Sequence, residues 1–332
     1  MRRRDLIKVI AGFAAAWPLT ARAQLTSTAT PVVTFINGRR ADDTAAAALA
    51  AEFRKGLSQT GFAEGQNVRV EYHWLDGHYE ELPSIINDAV RRTVAVIATP
   101  GITIAALAAK AATATIPIVF GVAEDPVALG LVQSLAQPGG NATGINFFAS
   151  EIDAKRLGLM HEMLPKANRF AVLVNPANHV TTGATSNALK QVARGLGLEL
   201  IFFNASTAAE IDGAFVAIAA QRPDALFIAP DGFFAGRGTQ FVTLAARDHI
   251  PTSIFASDAV KAGLLMSYGT SLGDVFRQVG VYTGGILKGA KPADLPVLQS
   301  AKFEFIINLQ TARSLGLDIP PTLLARADDV IE

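Results

Sequence analysis

Not one cysteine occurs in the 332 residues. That removes thiol nucleophiles, cysteine-ligated metals and a lipid-bearing cysteine, and it leaves the fold to rest on its core rather than on disulfides. Phosphate-cradling signatures are missing as well: there is no Walker lysine loop and no G-x-G-x-x-G fingerprint. Past residue 24 no run of 18 apolar residues appears, so no membrane span is expected there. Charge of one sign is also lacking. Of 29 basic and 29 acidic residues, five basic (Arg2, Arg3, Arg4, Lys8, Arg22) and one acidic (Asp5) fall before residue 24. The remainder is therefore acidic by four charges and has no basic block, which argues against a nucleic-acid partner. Histidines number only five. The one mixed cluster, His73, Asp76, His78, Glu80 and Glu81, fits no standard ligand spacing, so neither a metal nor a cofactor is expected.

What is present begins at the N-terminus. Arg3-Arg4-Asp5-Leu6-Ile7-Lys8 is a basic head with a twin-arginine pattern. Val9–Trp17 is an apolar run too short to span a bilayer, and Ala21-Arg22-Ala23 is a small-x-small cleavage signal before Gln24. Residues 1–23 are read as a removable export peptide, with a periplasmic destination and the twin-arginine route as its means.

The rest alternates short β-branched runs with Ala/Leu-rich amphipathic stretches, the rhythm of βαβ units around parallel sheets. Strands are expected at Val32–Ile36, Val68–Tyr72, Val94–Ala98 and Ile116–Val122. Helices are expected at Thr44–Thr60, Glu80–Arg92, Ile102–Ala112 and Val127–Leu135. A second series starts near residue 148, where Ser150-Glu151-Ile152-Asp153 reads as a capping box. It continues with strands Phe170–Val174, Glu199–Phe203, Ala225–Ala229 and Thr252–Ala256. Helices lie between them near Thr185–Leu196, after Thr207, and near Thr239–His249. Strand-like Leu264–Tyr268, a helix from Ser271 to about Gly289 and strand Phe303–Asn308 complete the chain. The expected class is α/β: two doubly wound parallel-sheet lobes joined by a multi-strand hinge. The first lobe takes 31–147 plus 264–297, the second 148–263 plus 298–332.

In doubly wound sheets ligands bind beyond the carboxyl ends of the strands, so the residues just after each strand are the candidates. In the first series these are Asn37-Gly38-Arg39, Thr99-Pro100-Gly101-Ile102-Thr103 and Ala123-Glu124-Asp125. In the second they are Asn175-Pro176-Ala177-Asn178, Pro230-Asp231-Gly232-Phe233 and Ser257-Asp258. Thr99–Thr103 joins a buried strand to a helix. Gly101 would let a ligand approach the backbone there, and the free N–H groups at Ile102 and Thr103 suit a carboxylate. Asp231 reads either as the counter-charge for an ammonium or as a turn residue before Gly232. Phe147, Phe233 and Phe255 read either as walls around an apolar side chain or as core.

Several blocks give the chain a family likeness: Gly61-Phe62-Ala63-Glu64-Gly65-Gln66-Asn67-Val68, Ile116-Pro117-Ile118-Val119-Phe120, Asp125-Pro126-Val127-Ala128-Leu129-Gly130-Leu131-Val132, Pro138-Gly139-Gly140-Asn141-Ala142-Thr143-Gly144 and Gly263-Leu264-Leu265-Met266-Ser267-Tyr268-Gly269. With the basic head and the tail Leu323–Asp328, they resemble the ABC transporter substrate-binding proteins of the tryptophan/tyrosine-type group. The resemblance implies a type I periplasmic binding protein fold with three hinge crossovers. It also implies a small solute in the cleft, amino acids and aromatic ones among the candidates, and an ABC permease in the inner membrane as partner. By position it places the pocket loops at Asn37, Thr99–Thr103, Asp125, Asn175, Asp231 and Tyr268. Family members often read Ala-Asp-Pro-Phe-Phe where this chain has Pro230–Phe234.

The leading reading is thus a monomeric receptor, not an enzyme, that captures an amino-acid-like or aromatic carboxylate solute by closing about a hinge. The alternatives are an exported racemase or lyase on the same fold, a receptor for a membrane sensor, and the sensor half of a transcription regulator. The last needs a DNA-binding head that residues 1–50 do not supply.

Overall fold

The computed structural model describes residues 30–147 and 149–332. The leader Met1–Ala23 lies outside the described residues, as does the side chain of Ser150. Among the described residues no helix is long and apolar enough to cross a membrane.

Two sheets carry the architecture. The first is parallel throughout and built from β1 (Val32–Asn37), β2 (Arg69–Trp74), β3 (Val96–Pro100), β4 (Ile118–Val122), β5 (Ala142–Asn146) and the late β11 (Leu298–Gln299), in the order β11-β5-β4-β3-β1-β2. The second contains β6 (Arg169–Val174), β7 (Glu199–Asn204), β8 (Ala225–Ile228), β9 (Thr252–Ile254), β10 (Met266–Thr270), β12 (Phe303–Asn308) and β13 (Asp329–Ile331). Its order is β13-β12-β10-β9-β8-β6-β7, and β10 and β12 form its one antiparallel pair. Helices α1 (Thr44–Gln59), α2 (Leu82–Arg91) and α3 (Thr103–Ala112) follow strands of the first sheet. Helices α4 (Ala149–Met163), α5 (His179–Leu196), α6 (Ala208–Gln221), α7 (Gly232–Ala235), α8 (Gly238–Arg247) and α9 (Ser257–Lys261) belong to the second series. Then come α10 (Leu272–Leu287), α11 (Leu309–Ser314) and α12 (Pro321–Leu324).

The reasons for these elements are local. Both faces of β3 and β4 are buried, which explains their unbroken apolar runs. Along β1, Val33 and Phe35 join one apolar cluster while Ile36 joins another, the period-2 alternation of a sheet covered on both sides. Asp43 caps α1 by accepting from the Ala45 N–H, and Leu49, Phe53 and Leu57 bury its inner face. Thr207 caps α6 through the Glu210 N–H, and the Glu210 carboxylate reaches back to the Ser206 N–H at 2.6 Å.

Four expectations change. Val127–Leu135 is a series of turns rather than a helix. Asp125 Oδ1 accepts from the Val127 N–H, and Gly130 takes a left-handed φ of 71°, which ends any helical run. Strand β5 was not anticipated because Gly144 interrupts its apolar pattern. A Cβ there would lie 2.0 Å from the Phe120 carbonyl oxygen, so glycine is what lets β5 pack against β4. The expected cap position Ser150 falls inside α4, which begins at Ala149, and Asp153 is fully buried and pairs with Arg156 and Thr185. Finally, strand β10 hydrogen-bonds in the second sheet, not the first, and β11 adds to the first. The return segment of the first lobe therefore runs from about residue 271 to 299 rather than 264 to 297.

The chain crosses between the sheets three times, after β5, after β10 and after β11. Helix α10 packs on α1 so closely that Cβ atoms at Gly56 and Gly280 would meet backbone oxygens of Arg277 and Phe53 at 2.0 and 2.1 Å.

Candidate functional site

The carboxyl ends of strands from both sheets face one another across a cleft. Between them lies a cavity that is partly open to solvent. Of the residues expected at the rim, Asn37, Arg39, Gly101, Thr103 and Phe147 line it from the first lobe, and Asn178, Asp231 and Phe255 from the second. Leu49, Ala123, Thr181, Pro230, Gly232, Ala235, Leu272 and Phe276 complete the wall. Leu49 and Phe276 lie on the inner faces of α1 and α10, where both also pack in the first-lobe core. Only the second crossing, which brings α10 back to the first lobe, puts Phe276 and Leu272 beside the cleft.

Other expected residues stand elsewhere. Thr99 is buried within β3 and Ile102 belongs to the first-lobe core. Glu124 stands behind the wall, accepting from Thr103 Oγ1 at 2.5 Å through one carboxylate oxygen. Asp125 is exposed and serves its turn. Asn175 is buried and touches Asp231 rather than the cavity. Phe233 packs into the second-lobe core beneath the Arg237 guanidinium, 4.8 Å from its ring centroid. Ser257 opens α9 and lines a neighbouring hollow that shares Arg39, Leu49, Phe255 and Leu272 with the cavity. Tyr268 lies on β10, with its ring stacked on Phe303.

The rims touch through a polar clasp. Asn37 Nδ2 donates to the Pro100 carbonyl at 2.7 Å, and its Oδ1 accepts from the Arg39 N–H at 3.0 Å, which shapes the loop after β1. Arg39, only 3% exposed, then reaches Asp43 (2.6 Å) on its own side, and Asp258 (3.2 Å) and the Ala235 carbonyl (3.3 Å) on the other. Arg237 pairs with Asp76 at 2.6 Å, again across the cleft. Gly38 and Gly232 face each other so closely that a Cβ on Gly232 would sit 2.9 Å from the Gly38 Cα.

Asp231 is the centre of this clasp. Its Oδ1 accepts from Asn175 Nδ2 (3.0 Å) and from the N–H groups of Phe233 (3.0 Å) and Phe234 (3.2 Å), so it caps α7. Its Oδ2 accepts from Asn178 Nδ2 (2.9 Å) and, from the opposite lobe, Tyr79 Oη (2.8 Å). Five donors fill a carboxylate that offers about four lone-pair sites, leaving no room for a ligand cation. Burial pushes the Asp231 carboxyl above the ordinary range, opposed by these donors, and burial beside the carboxylate raises the Tyr79 phenol well above its ordinary value.

At the N-terminus of α3 no side chain provides a cap. Thr103 Oγ1 is engaged by Glu124 and by the Ala123 N–H (3.3 Å), so the backbone rather than the hydroxyl is what α3 offers a ligand. Deeper in the second lobe, Asp153 and Arg156 form a buried pair at 3.1 Å. Burial lifts the Asp153 carboxyl to about 6 and lowers the Arg156 guanidinium to about 10. No group of three potential metal ligands occurs among the described residues.

One motif escapes a first reading of the sequence. Gly269-Thr270-Ser271-Leu272-Gly273 has the G-x-S-x-G spacing of a hydrolase elbow and does lie at a strand-to-helix turn. Ser271 begins α10, and its N–H donates to the Lys302 carbonyl at 3.0 Å. The hollow beside it is lined by no histidine that could act as base. It is a helix start.

A family model described as ABC transporter substrate binding protein matches residues 34–331. The chain belongs to that family. It is 28% identical over 268 residues to a tyrosine-binding protein of Clostridioides difficile strain R20291, covering 80% of this chain and 75% of that one. A conserved domain protein from Vibrio cholerae O1 biovar El Tor superposes with a TM-score of 0.80 at 30% identity, covering 91% and 99% of the two chains. A Streptococcus pneumoniae protein solved in complex with L-Trp superposes with a TM-score of 0.78 at 23% identity, covering 91% and 100%. The chain is therefore a substrate-binding protein with the type I periplasmic binding protein fold, and its family consists of binding proteins rather than enzymes.

Proposed function

We propose that this binding protein captures an amino acid with an apolar or aromatic side chain outside the cytoplasm and delivers it to an ABC permease for import. The observation that carries the reading is the cavity between two lobes whose rims are bridged by Arg39, Tyr79, Asp231 and Arg237, with walls supplied largely by Leu49, Phe147, Phe255, Leu272 and Phe276. The aromatic and aliphatic walls suit a hydrophobic side chain. The uncapped start of α3, with Gly101 and Thr103 in the wall, suits the carboxylate. The tyrosine-binding relative supports the same ligand class.

The mechanism is closure about the three crossings. A solute that touches both rims favours the arrangement in which the clasp is made, by its differential affinity for that state; hinge closure of periplasmic binding proteins is itself a standard example of such a transition. Capture at micromolar concentration corresponds to about −8 kcal/mol. The protein works as a monomer, and the leader Met1–Ala23 exports it by the twin-arginine route. A thermal-shift screen of amino acids, aromatic acids and small dicarboxylates tests the reading. An aromatic amino acid is expected to raise the melting temperature and to be recovered unchanged. No shift with any amino acid, or recovery of an altered compound, refutes it.

A further inference from the structure

Asn178 occupies an unusual position. It is the N-cap residue of α5, yet its side chain makes no capping bond. An asparagine there normally turns its carbonyl oxygen onto the N–H groups of the first turn. Here the amide is turned the other way, with Nδ2 donating to Asp231 Oδ2 at 2.9 Å. The orientation is chemically fixed, because the reverse rotamer would set two acceptor oxygens against each other. Oδ1 is thereby left without a partner on a residue only 5% exposed that lines the cavity. Asn175, the other amide on Asp231, keeps nothing in reserve: its Oδ1 accepts from the Ala177 N–H (3.0 Å) and Ser206 Oγ (2.8 Å). A buried acceptor with no donor is costly, so the cavity is built to receive a donor at that point.

The charge at this place narrows the donor. All five partners of Asp231 are neutral: two amides, a phenol and two backbone N–H groups. A buried carboxylate without a cation stands in the wall beside the Asn178 amide, and the hydrogen bond between them transmits its polarisation to Oδ1. The one cationic side chain in the wall, Arg39, is committed to Asp43 and Asp258.

We infer that Asn178 is the residue that selects for a ligand ammonium group, its Oδ1 accepting the N⁺–H bond, and that Asp231 is the positioning residue that aims the amide and supplies the counter-charge through it. This rests on the reading of the cavity as an amino-acid site and adds the basis of its selectivity. Solutes that keep the aromatic ring and carboxylate but lack the amine are rejected because they leave Oδ1 unpaired.

The test is calorimetry on the exported chain with L-phenylalanine, L-tyrosine and L-tryptophan, each against its des-amino 3-arylpropionate. The wild type is expected to prefer the amino acid at least 30-fold. Asn178→Leu, with the same branching but without an acceptor, is expected to lose most of that preference while changing the arylpropionate affinity less than threefold. Asp231→Asn, which removes the charge and frees the Asn178 amide to turn, is expected to lower the preference about tenfold. If Asn178→Leu does not fold, the wild-type comparison with N-acetyl-phenylalanine, which keeps the carboxylate but has no cation, still decides: equal affinity for the acetylated and free amino acid overturns the inference. An unchanged preference in Asn178→Leu overturns it as well and leaves the amino-acid reading standing. No binding of any amino acid by the wild type overturns both.

Discussion

Tyr79→Phe isolates what the clasp contributes to capture. The ring sits in the first-lobe core, 6% exposed, and the substitution keeps it there. What is lost is one hydrogen bond of 2.8 Å from the phenol to the Asp231 carboxylate, the only bond that Asp231 accepts from the other lobe among the described residues. That bond exists only when the rims meet; with the lobes apart the phenol bonds to water. Hydrogen bonds to charged groups contribute about 1.5–3 kcal/mol. If the unliganded protein is mostly open, the loss passes in full to the closing step and weakens the apparent affinity about ten- to 150-fold. The change should fall mainly on the dissociation rate, since the first encounter precedes closure. Titration calorimetry with stopped-flow release of the ligand found in the thermal-shift screen measures both. As a control, Asp76→Asn removes a partly exposed pair with Arg237, which is worth at most about 1 kcal/mol and so a few-fold in affinity. An affinity within twofold of wild type in Tyr79→Phe, with the fold intact, would refute the idea that closure is held by this contact.

Three further outcomes are expected. Asp231→Ala leaves buried donors unpaired and strips the cap from α7, so urea unfolding should show a loss of about 2–4 kcal/mol even without ligand. Gly280→Ala drives a Cβ into the Phe53 carbonyl of α1 and should cost about 1–3 kcal/mol of overpacking, seen as a lower melting temperature. Asp153 titrates near 6 in the folded chain against an ordinary 3.8, so between those values the folded state holds the proton more tightly and stability falls as pH rises. The stability of the wild type relative to Asp153→Asn should therefore drop by up to about 3 kcal/mol from pH 3 to pH 7, and pH-dependent urea melts would contradict the burial argument if that difference stayed flat.

The fold was legible where residues answer to local rules. Alternation along Val32–Ile36, the unbroken runs before Pro100 and Val122, and the cap at Thr207 depend on neighbours a few positions away, and those strands and helices were readable. The strand around Gly144 and the sheet that β10 joins were not, because the first is dictated by the Phe120 carbonyl on another strand and the second by pairing with Phe303–Asn308. The rim rule brought Asn37, Gly101, Thr103, Asn178 and Phe255 to one cavity, since strand ends converge wherever two doubly wound sheets face each other. It could not tell which polar groups are already spent. Asp231 could be read in the sequence as a counter-charge or as a turn residue, and only Tyr79, 152 positions away, and the two asparagines reveal the donors that fill it. Leu49 and Phe276 carry the periodicity of core residues and are core on one side; their second role is set by the return of α10.

That return has a consequence for biogenesis. The edge strand of the first sheet and the helix welded to α1 are made only after the entire second series has been synthesised. Neither half is a contiguous fragment, so a truncation that keeps residues 31–147 cannot yield a finished lobe, and a chain still emerging from the ribosome cannot complete its first half until residue 299 is available. A polypeptide wired in this order matures late and all at once.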